Sequence, residues 1–186
     1  MSCLHDHHAS DRTSAVHSRR AIVTAIGAAA MLAATRPAAA ADASAEDERY
    51  MRMALDEARQ ADFPFGAVIV RDGQVIARGR NLGRTNDDPT AHGEMVAIRR
   101  CLADRGSAAL KGSALYTSGE PCVMCMGAIV WCRFGRLVFA ASVEQIAARM
   151  NQIMISSADI AAKETFLPIK ITGGVLADEA VRLFGK

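Results

Sequence analysis

Two short stretches constrain this chain more than anything else in it: Thr90-Ala91-His92-Gly93-Glu94 and Glu120-Pro121-Cys122-Val123-Met124-Cys125. They supply one imidazole, two thiols and two acids on separate segments, so any fold must bring the segments together if they act jointly. His92, Cys122 and Cys125 form a borderline-to-soft donor set suited to Zn²⁺, and three ligands rather than four leave one position open for water. Glu94 then stands beside the metal as a group that moves protons. Cys122 and Cys125 are three apart, so on one helical turn both sulfurs meet one ion, and a helix N-terminus favours the thiolate. Pro121 is read as the start of that helix. His92 and Glu94 are two apart, and helical spacing alone does not converge them.

The histidine count sharpens the pattern. Of five histidines, His5, His7, His8 and His17 precede residue 42, which leaves His92 alone in the remainder. The first 41 residues read as a separate unit. Arg19-Arg20 precede a weakly apolar run from Ala21 to Ala34, and Ala38-Ala39-Ala40 has the small-residue form of a cleavage site. This order resembles a twin-arginine export signal, and the alternatives are an Ala-rich leader without structure or a membrane anchor. The run is short and is interrupted by Thr24 and Gly27, which argues against a span. The expectation is a signal peptide over 1–41, a domain over 42–186, a periplasmic or secreted protein, and no stable membrane association.

Charge then excludes a partner class. The chain carries 22 basic and 20 acidic residues; removing Arg12, Arg19, Arg20, Arg36, Asp6 and Asp11 with the leader leaves 18 of each. A balanced domain lacks the cationic surplus from which nucleic-acid affinity is drawn. In an oxidising compartment Cys122 and Cys125 could form a disulfide instead of a metal site. The twin-arginine route exports folded protein, so zinc bound beforehand would protect them. Cys101 and Cys132 are open between buried free thiols and a structural pair. The methionines Met124, Met126, Met150 and Met154 read as fillers of apolar faces rather than as a copper site.

Periodicity places a helix over 45–61, stopped by Phe63-Pro64, and a hairpin of strands 67–70 and 74–78 turning at Asp72-Gly73. A polar loop leads to a helix over 92–103. A strand over 114–117, a helix from 121 to 132, a strand over 136–140 and a helix over 143–155 follow. A strand over 169–172 and a helix over 177–184 close the chain. This order predicts an α/β fold, a three-layer α/β/α sandwich on a mixed five-stranded sheet with the last two strands parallel.

At this point Pro64-Phe65-Gly66-Ala67-Val68-Ile69-Val70, Asp88-Pro89-Thr90-Ala91-His92 and the run from Thr117 to Trp131 resemble the cytidine and deoxycytidylate deaminase superfamily. The likeness is nearest to bacterial guanine deaminases; the last run also resembles tRNA adenosine deaminases. His92-Gly93-Glu94, with Gly where Ala is usual, resembles fungal cytosine deaminase. The resemblance implies His92, Cys122 and Cys125 as zinc ligands and Glu94 as the catalytic proton shuttle. It implies Asn81 as a reader of the base, with the N–H groups of Ala91 and Gly93 as further substrate contacts. Asn81 is otherwise a plain turn residue, and Glu94 alone would be a solvated carboxylate at a helix start.

The implied reaction is hydrolytic deamination of a free nucleobase or nucleoside, with guanine first among candidates and a tRNA adenosine or cytosine substrate as the alternative. Expected partners are that small molecule and a second copy of the chain in a homodimer, with no nucleic-acid polymer. One departure bears on guanine. Guanine deaminases of this type carry an acid that reads the guanine edge in a segment after the second cysteine, where this chain has Asn151-Gln152-Ile153-Met154-Ile155. Glu144 is the candidate replacement, and Phe63 or Phe184 the candidate stacking ring. A reading from another class is a secreted binding module with structural zinc, which would need a fourth ligand.

Overall fold

The computed structural model describes residues 44–165 and 167–185; the expected signal peptide over 1–41 lies outside them. Ser44 opens the first helix, α1 (Ala45–Arg59), through a reciprocal cap. Its Oγ accepts from Asp47 N–H at 3.1 Å while Asp47 Oδ2 accepts from Ser44 N–H at 3.0 Å. Glu46, Asp47 and Glu48 in the first turn and Arg59 in the last complement the helix dipole. Tyr50, Met51, Ala54, Leu55 and Ala58 recur at helical spacing and are buried. Each large apolar side chain among them contributes about 1.5–3 kcal/mol on burial.

Strand β1 (Gly66–Arg71) turns at Asp72-Gly73 into β2 (Gln74–Arg80), longer than the expected strand by two residues. Helix α2 (Gly93–Arg105) follows the polar loop and stops at Gly106. Next come β3 (Ala114–Gly119), α3 (Val123–Trp131), β4 (Arg136–Ala141), α4 (Val143–Ala147), α5 (Ser157–Ala161), β5 (Lys170–Thr172) and α6 (Ala177–Val181). The sheet order is β2-β1-β3-β4-β5. β1 is antiparallel to β2 and β3, while β3–β4 and β4–β5 are parallel. The expected mixed five-stranded sheet is present.

The strands sort their side chains by alternation. Val68, Val70, Val138 and Ala140 join Tyr50, Met51, Leu55 and Ala180 under α1 and α6. Ala67, Ile69, Leu115 and Leu137 join Ala97, Ile98, Met126 and Ile129 under α2 and α3. Two apolar faces on one sheet, each covered by helices, make the α/β/α sandwich. Among the described residues no helix is long and apolar enough to cross a membrane.

Two expectations about helices are corrected. The helix expected over 143–155 ends at Ala147, and a second begins at Ser157, because Ser156 and Asp159 form their own capping box. α4 places Ile146 in the core under α1, whereas Ile160 and Ala161 of α5 pack on the other face. The chain between them therefore crosses the end of the sheet. Pro121 does not open α3: Cys122 is its N-cap and Val123 its first residue.

Candidate active site

Both helices on the α2/α3 face begin at the end of the sheet where β3 finishes. His92 is the N-cap of α2, Cys122 the N-cap of α3, and Cys125 lies in the first turn of α3. His92 Nδ1 sits 3.6 Å from Cys122 Sγ and 3.6 Å from Cys125 Sγ, and the three donor atoms lie within 4.8 Å of one another. A tetrahedral ion with Zn–S near 2.3 Å and Zn–N near 2.0–2.1 Å holds its nitrogen and sulfur ligands about 3.6 Å apart. The donor set and its spacing fit Zn²⁺.

The two sulfurs are electrostatically unequal. Hydrogen bonding from the Cys125 thiol, and then from His92, outweighs burial and pulls the Cys122 thiol down to about 4. Cys125 is pushed up by sharing its proton with Cys122 and by burial. The hydrogen bond with Cys122 raises His92. The direction of the Cys122 shift is the one a zinc site requires, since the ligand is the thiolate.

Glu94 is 2% exposed and Thr117 Oγ1 donates to its Oε1 at 3.1 Å. Burial raises its carboxyl above the ordinary range. Asn81, also buried, accepts from Gly83 N–H through Oδ1 at 3.0 Å, which leaves its amide NH₂ to donate. The loop carrying Asn81 to His92 is ordered by two acids. Asp62 accepts from the N–H groups of Arg84 and Thr85, and Asp88 accepts from Thr90 N–H and Oγ1.

These groups border a cavity of about 560 Å³, within the ordinary range for small-molecule sites. Phe63, Phe65, Asn81, His92, Glu94, Cys122 and Met124 line it, with Met150, Asn151, Gln152 and Ile153 closing another part of the wall. The Phe65 ring lies parallel to the His92 ring, 6° apart in plane with centroids 6.3 Å apart. Glycine at 93 is explained by close approach: a Cβ there would stand 2.8 Å from the Phe65 carbonyl oxygen. Gly79 similarly lets α2 lie directly on β2, since a Cβ would overlap the Gly93 carbonyl and the Ala97 nitrogen.

The structure brings His92, Cys122, Cys125, Glu94 and Asn81 to one place. It does not bring the other expected contacts. Ala91 N–H is already donated to the Asp88 carbonyl at 3.0 Å, and neither Ala91 nor Gly93 borders the cavity. Glu144 is exposed and accepts from Ser142 Oγ, away from the cavity lining. Phe184 packs against Phe65 with centroids 5.1 Å apart, behind the lining rather than in it. Thr117, Phe65 and Glu120 were missed as site residues; each lies in a run quoted for the family likeness. Cys101 and Cys132 are free thiols.

Fold and cluster together define a zinc-binding α/β/α protein with a His-Cys-Cys centre and an adjacent buried carboxylate. Residues 44–141 match the cytidine and deoxycytidylate deaminase zinc-binding region, and the chain belongs to that family. It is 53% identical over 78 residues to guanine deaminase of Bacillus subtilis (strain 168), spanning 42% of this chain and 50% of that one. It is 39% identical over 138 residues to the tRNA-specific adenosine deaminase of Haemophilus influenzae, spanning 72% and 78%. The chain thus spans half the length of the first relative and over two thirds of the second. Among solved structures it resembles the guanine deaminase of Nitrosomonas europaea, with TM-score 0.65, 27% identity and coverage of 74% and 81%. It also resembles a tRNA:A34 deaminase with TM-score 0.64, 34% identity and coverage of 73% and 98%.

Proposed function

We propose that this protein is a zinc-dependent hydrolase of carbon–nitrogen bonds that deaminates a free nucleobase or nucleoside, guanine being the first candidate. The observation that carries the reading is the buried Glu94 carboxylate beside the His92, Cys122 and Cys125 cluster on the wall of one cavity. Those three residues would hold the ion, which when bound supplies water activated near neutral pH. In the net reaction an amino-bearing ring carbon gains the water oxygen as a carbonyl and loses ammonia. Glu94 carries one water proton to the ring nitrogen and the second to the leaving amine, and its raised affinity for protons suits both transfers. Asn81 donates through its amide to a ring acceptor, and Phe63 and Phe65 flank the base. An ammonia-release screen of bases and nucleosides with the zinc-loaded protein tests the reading; no release from any would refute it.

A tRNA adenosine substrate is the second reading, favoured by the likeness to the Haemophilus and tRNA:A34 enzymes. The even balance of 18 basic and 18 acidic residues after position 41 speaks for the small molecule. Inosine formed in an anticodon stem-loop at physiological salt would reverse the order. The export reading of residues 1–41 predicts a mature N-terminus near Ala41, checked by N-terminal sequencing of a periplasmic fraction. Exposed Ile153, Met154 and Ile155 support a homodimer, which sedimentation tests.

A further inference from the structure

α2 leads from β2 to the start of β3 and α3 from β3 to the start of β4, so the two helices run the same way over one face of the sheet. Their first turns meet at the metal cluster, where the Cys125 thiol and the Glu94 carboxylate share a hydrogen bond. Seven residues on from Glu94 stands Cys101, and seven on from Cys125 stands Cys132. Seven residues make about two turns, so each cysteine lies on the same side of its helix as the group above it. Cys132, the C-cap of α3, keeps helical backbone angles, φ −76° and ψ −4°. Cys101 is fully buried and Cys132 half-buried, both are free thiols, and both pack into the apolar cluster under the two helices. The helix pair that joins His92 to Cys122 thus carries two more thiols towards each other, two turns further down.

The two thiols differ in access. Cys132 borders a surface cavity of about 310 Å³ with Ser107, Leu110, Lys111, Trp131 and Arg133, whereas Cys101 is not in its lining. Lys111 and Arg133 give that cavity two cations, and no acid lines it. Among the described residues no third ligand joins the pair, since the one group able to hold a metal is His92, Cys122 and Cys125. The chemistry left to the pair is that of sulfur with sulfur. Burial and the neighbouring Cys101 hold the Cys132 thiol up, and burial does the same for Cys101, so neither reacts readily with a passing oxidant. A cationic cavity offsets this for one class of reagent, because it gathers anions at Cys132.

We propose that Cys132 and Cys101 form a thiol–disulfide exchange site whose oxidant is a small disulfide bearing carboxylates, and whose product is a disulfide between α2 and α3. Cys132 gives its proton to solvent, and its thiolate attacks one sulfur of the incoming disulfide. That S–S bond breaks, the distal sulfur leaves with the electron pair as a thiolate, and a mixed disulfide remains on Cys132. Cys101 then loses its proton, attacks the Cys132 sulfur and expels the second thiol. The protein has lost two hydrogens, and the reagent has been reduced to two thiols. The product staples together the two helices that carry His92, Glu94, Cys122 and Cys125.

The test treats the zinc-loaded, reduced full-length chain carrying Cys3→Ser with oxidised glutathione, and follows intact mass, peptide maps and zinc content. The expected product lacks two hydrogens, maps to Cys101 joined to Cys132, and keeps its zinc. Its Tm should rise by at least about 5 °C over the reduced protein and fall back on reduction. Cys101→Ala should stop at one glutathionyl group on Cys132, and Cys132→Ala should leave Cys101 unmodified over the same time. Cystamine, a cationic disulfide of the same reactive bond, should react at least about fivefold more slowly than oxidised glutathione at low salt, and Lys111→Ala/Arg133→Ala should remove that difference. No modification of Cys132 in the parent protein would overturn the inference, as would a glutathionyl group that stays on Cys132 with Cys101 present. Modification of Cys101 ahead of Cys132 would overturn it as well. So would a Cys122–Cys125 disulfide formed in its place with release of zinc.

Discussion

Thr117 Oγ1 donates a hydrogen bond of 3.1 Å to Glu94 Oε1, joining β3 to the first turn of α2. Both groups are buried, so this bond fixes the carboxylate where water cannot compete. Glu94→Gln should retain stoichiometric zinc, since the cluster of donors is intact, and lose at least about a hundredfold in kcat with the proton carrier gone. Thr117→Val should lose about tenfold in kcat by freeing the carboxylate. Metal analysis beside ammonia release checks both. Loss of zinc in either variant, or turnover unchanged in Glu94→Gln, would remove Glu94 from its role.

Gly93 separates His92 from Glu94 in a place where the backbone of Phe65 leaves no room. A Cβ at position 93 would meet the Phe65 carbonyl oxygen at 2.8 Å and the Gly66 Cα at 3.2 Å. Backbone cannot swing aside as a flexible side chain does, so α2 must shift. Gly93→Ala is expected to cost about 1–3 kcal/mol of stability and to lower zinc affinity, because His92 rides on the same turn. Urea denaturation and a zinc titration measure the two effects. An alanine variant as stable as the parent would show that the helix start is loosely held.

The buried Asp47 carboxylate carries stability rather than chemistry. Asp47 binds Arg136 through two hydrogen bonds of 2.7 and 2.9 Å and accepts from Tyr116 Oη at 2.9 Å. Burial opposes its charge, but the bonds from Arg136, Ser44 and Tyr116 prevail and lower its carboxyl to about 2 from 3.8. A depressed carboxylate contributes fully above its unfolded value and loses that contribution as pH falls through the folded one. The protection should therefore be complete above about pH 4 and vanish towards pH 2. Asp47→Asn should cost about 3 kcal/mol at neutral pH by stranding the guanidinium. Tm of the two proteins across this range should converge on the acid side; a constant gap would place the cost elsewhere.

How far the sequence discloses this molecule depends on how local each cause is. The hairpin at Asp72-Gly73, α1 and the buried strands were legible because helical periodicity and alternation act within a few residues, whereas the Ser44 cap was not read. The metal cluster was legible from residue types, although the convergence of His92 with the cysteines is a product of the sheet that aligns both helix starts. The failures share one origin. Whether Ala91 N–H is free, whether Glu144 faces the cavity and where the helix after Ser142 stops are each decided by a partner outside the motif. The Asp88 carbonyl takes the first, and the Ser156–Asp159 box restarts the helix that periodicity ran straight through. What Glu120 binds was not legible, because the two backbone donors to its carboxylate, Val143 N–H and Ser157 N–H, lie 23 and 37 residues away.

The last prediction concerns the size of the substrate. A polymer-reading site pairs a cationic groove with exposed aromatic platforms. Here Phe63 borders the cavity with the Arg84 guanidinium 4.4 Å from its ring centre, so the aromatic face that a neighbouring nucleotide could use is already covered. Phe65 is held between His92 and Phe184. A cavity of about 560 Å³ has room for a base or nucleoside. The balance of charge after residue 41 leaves no net cationic surplus to reward a longer chain. Activity on a free base or nucleoside should therefore exceed activity on a single-stranded oligomer containing it by at least about tenfold in kcat/KM, about 1.4 kcal/mol of transition-state stabilisation. The measurement is kcat/KM for base, nucleoside, nucleotide and oligomer in one buffer at one salt concentration. Values that climb along that series, with a steep salt dependence, would show that the site reads a polymer after all.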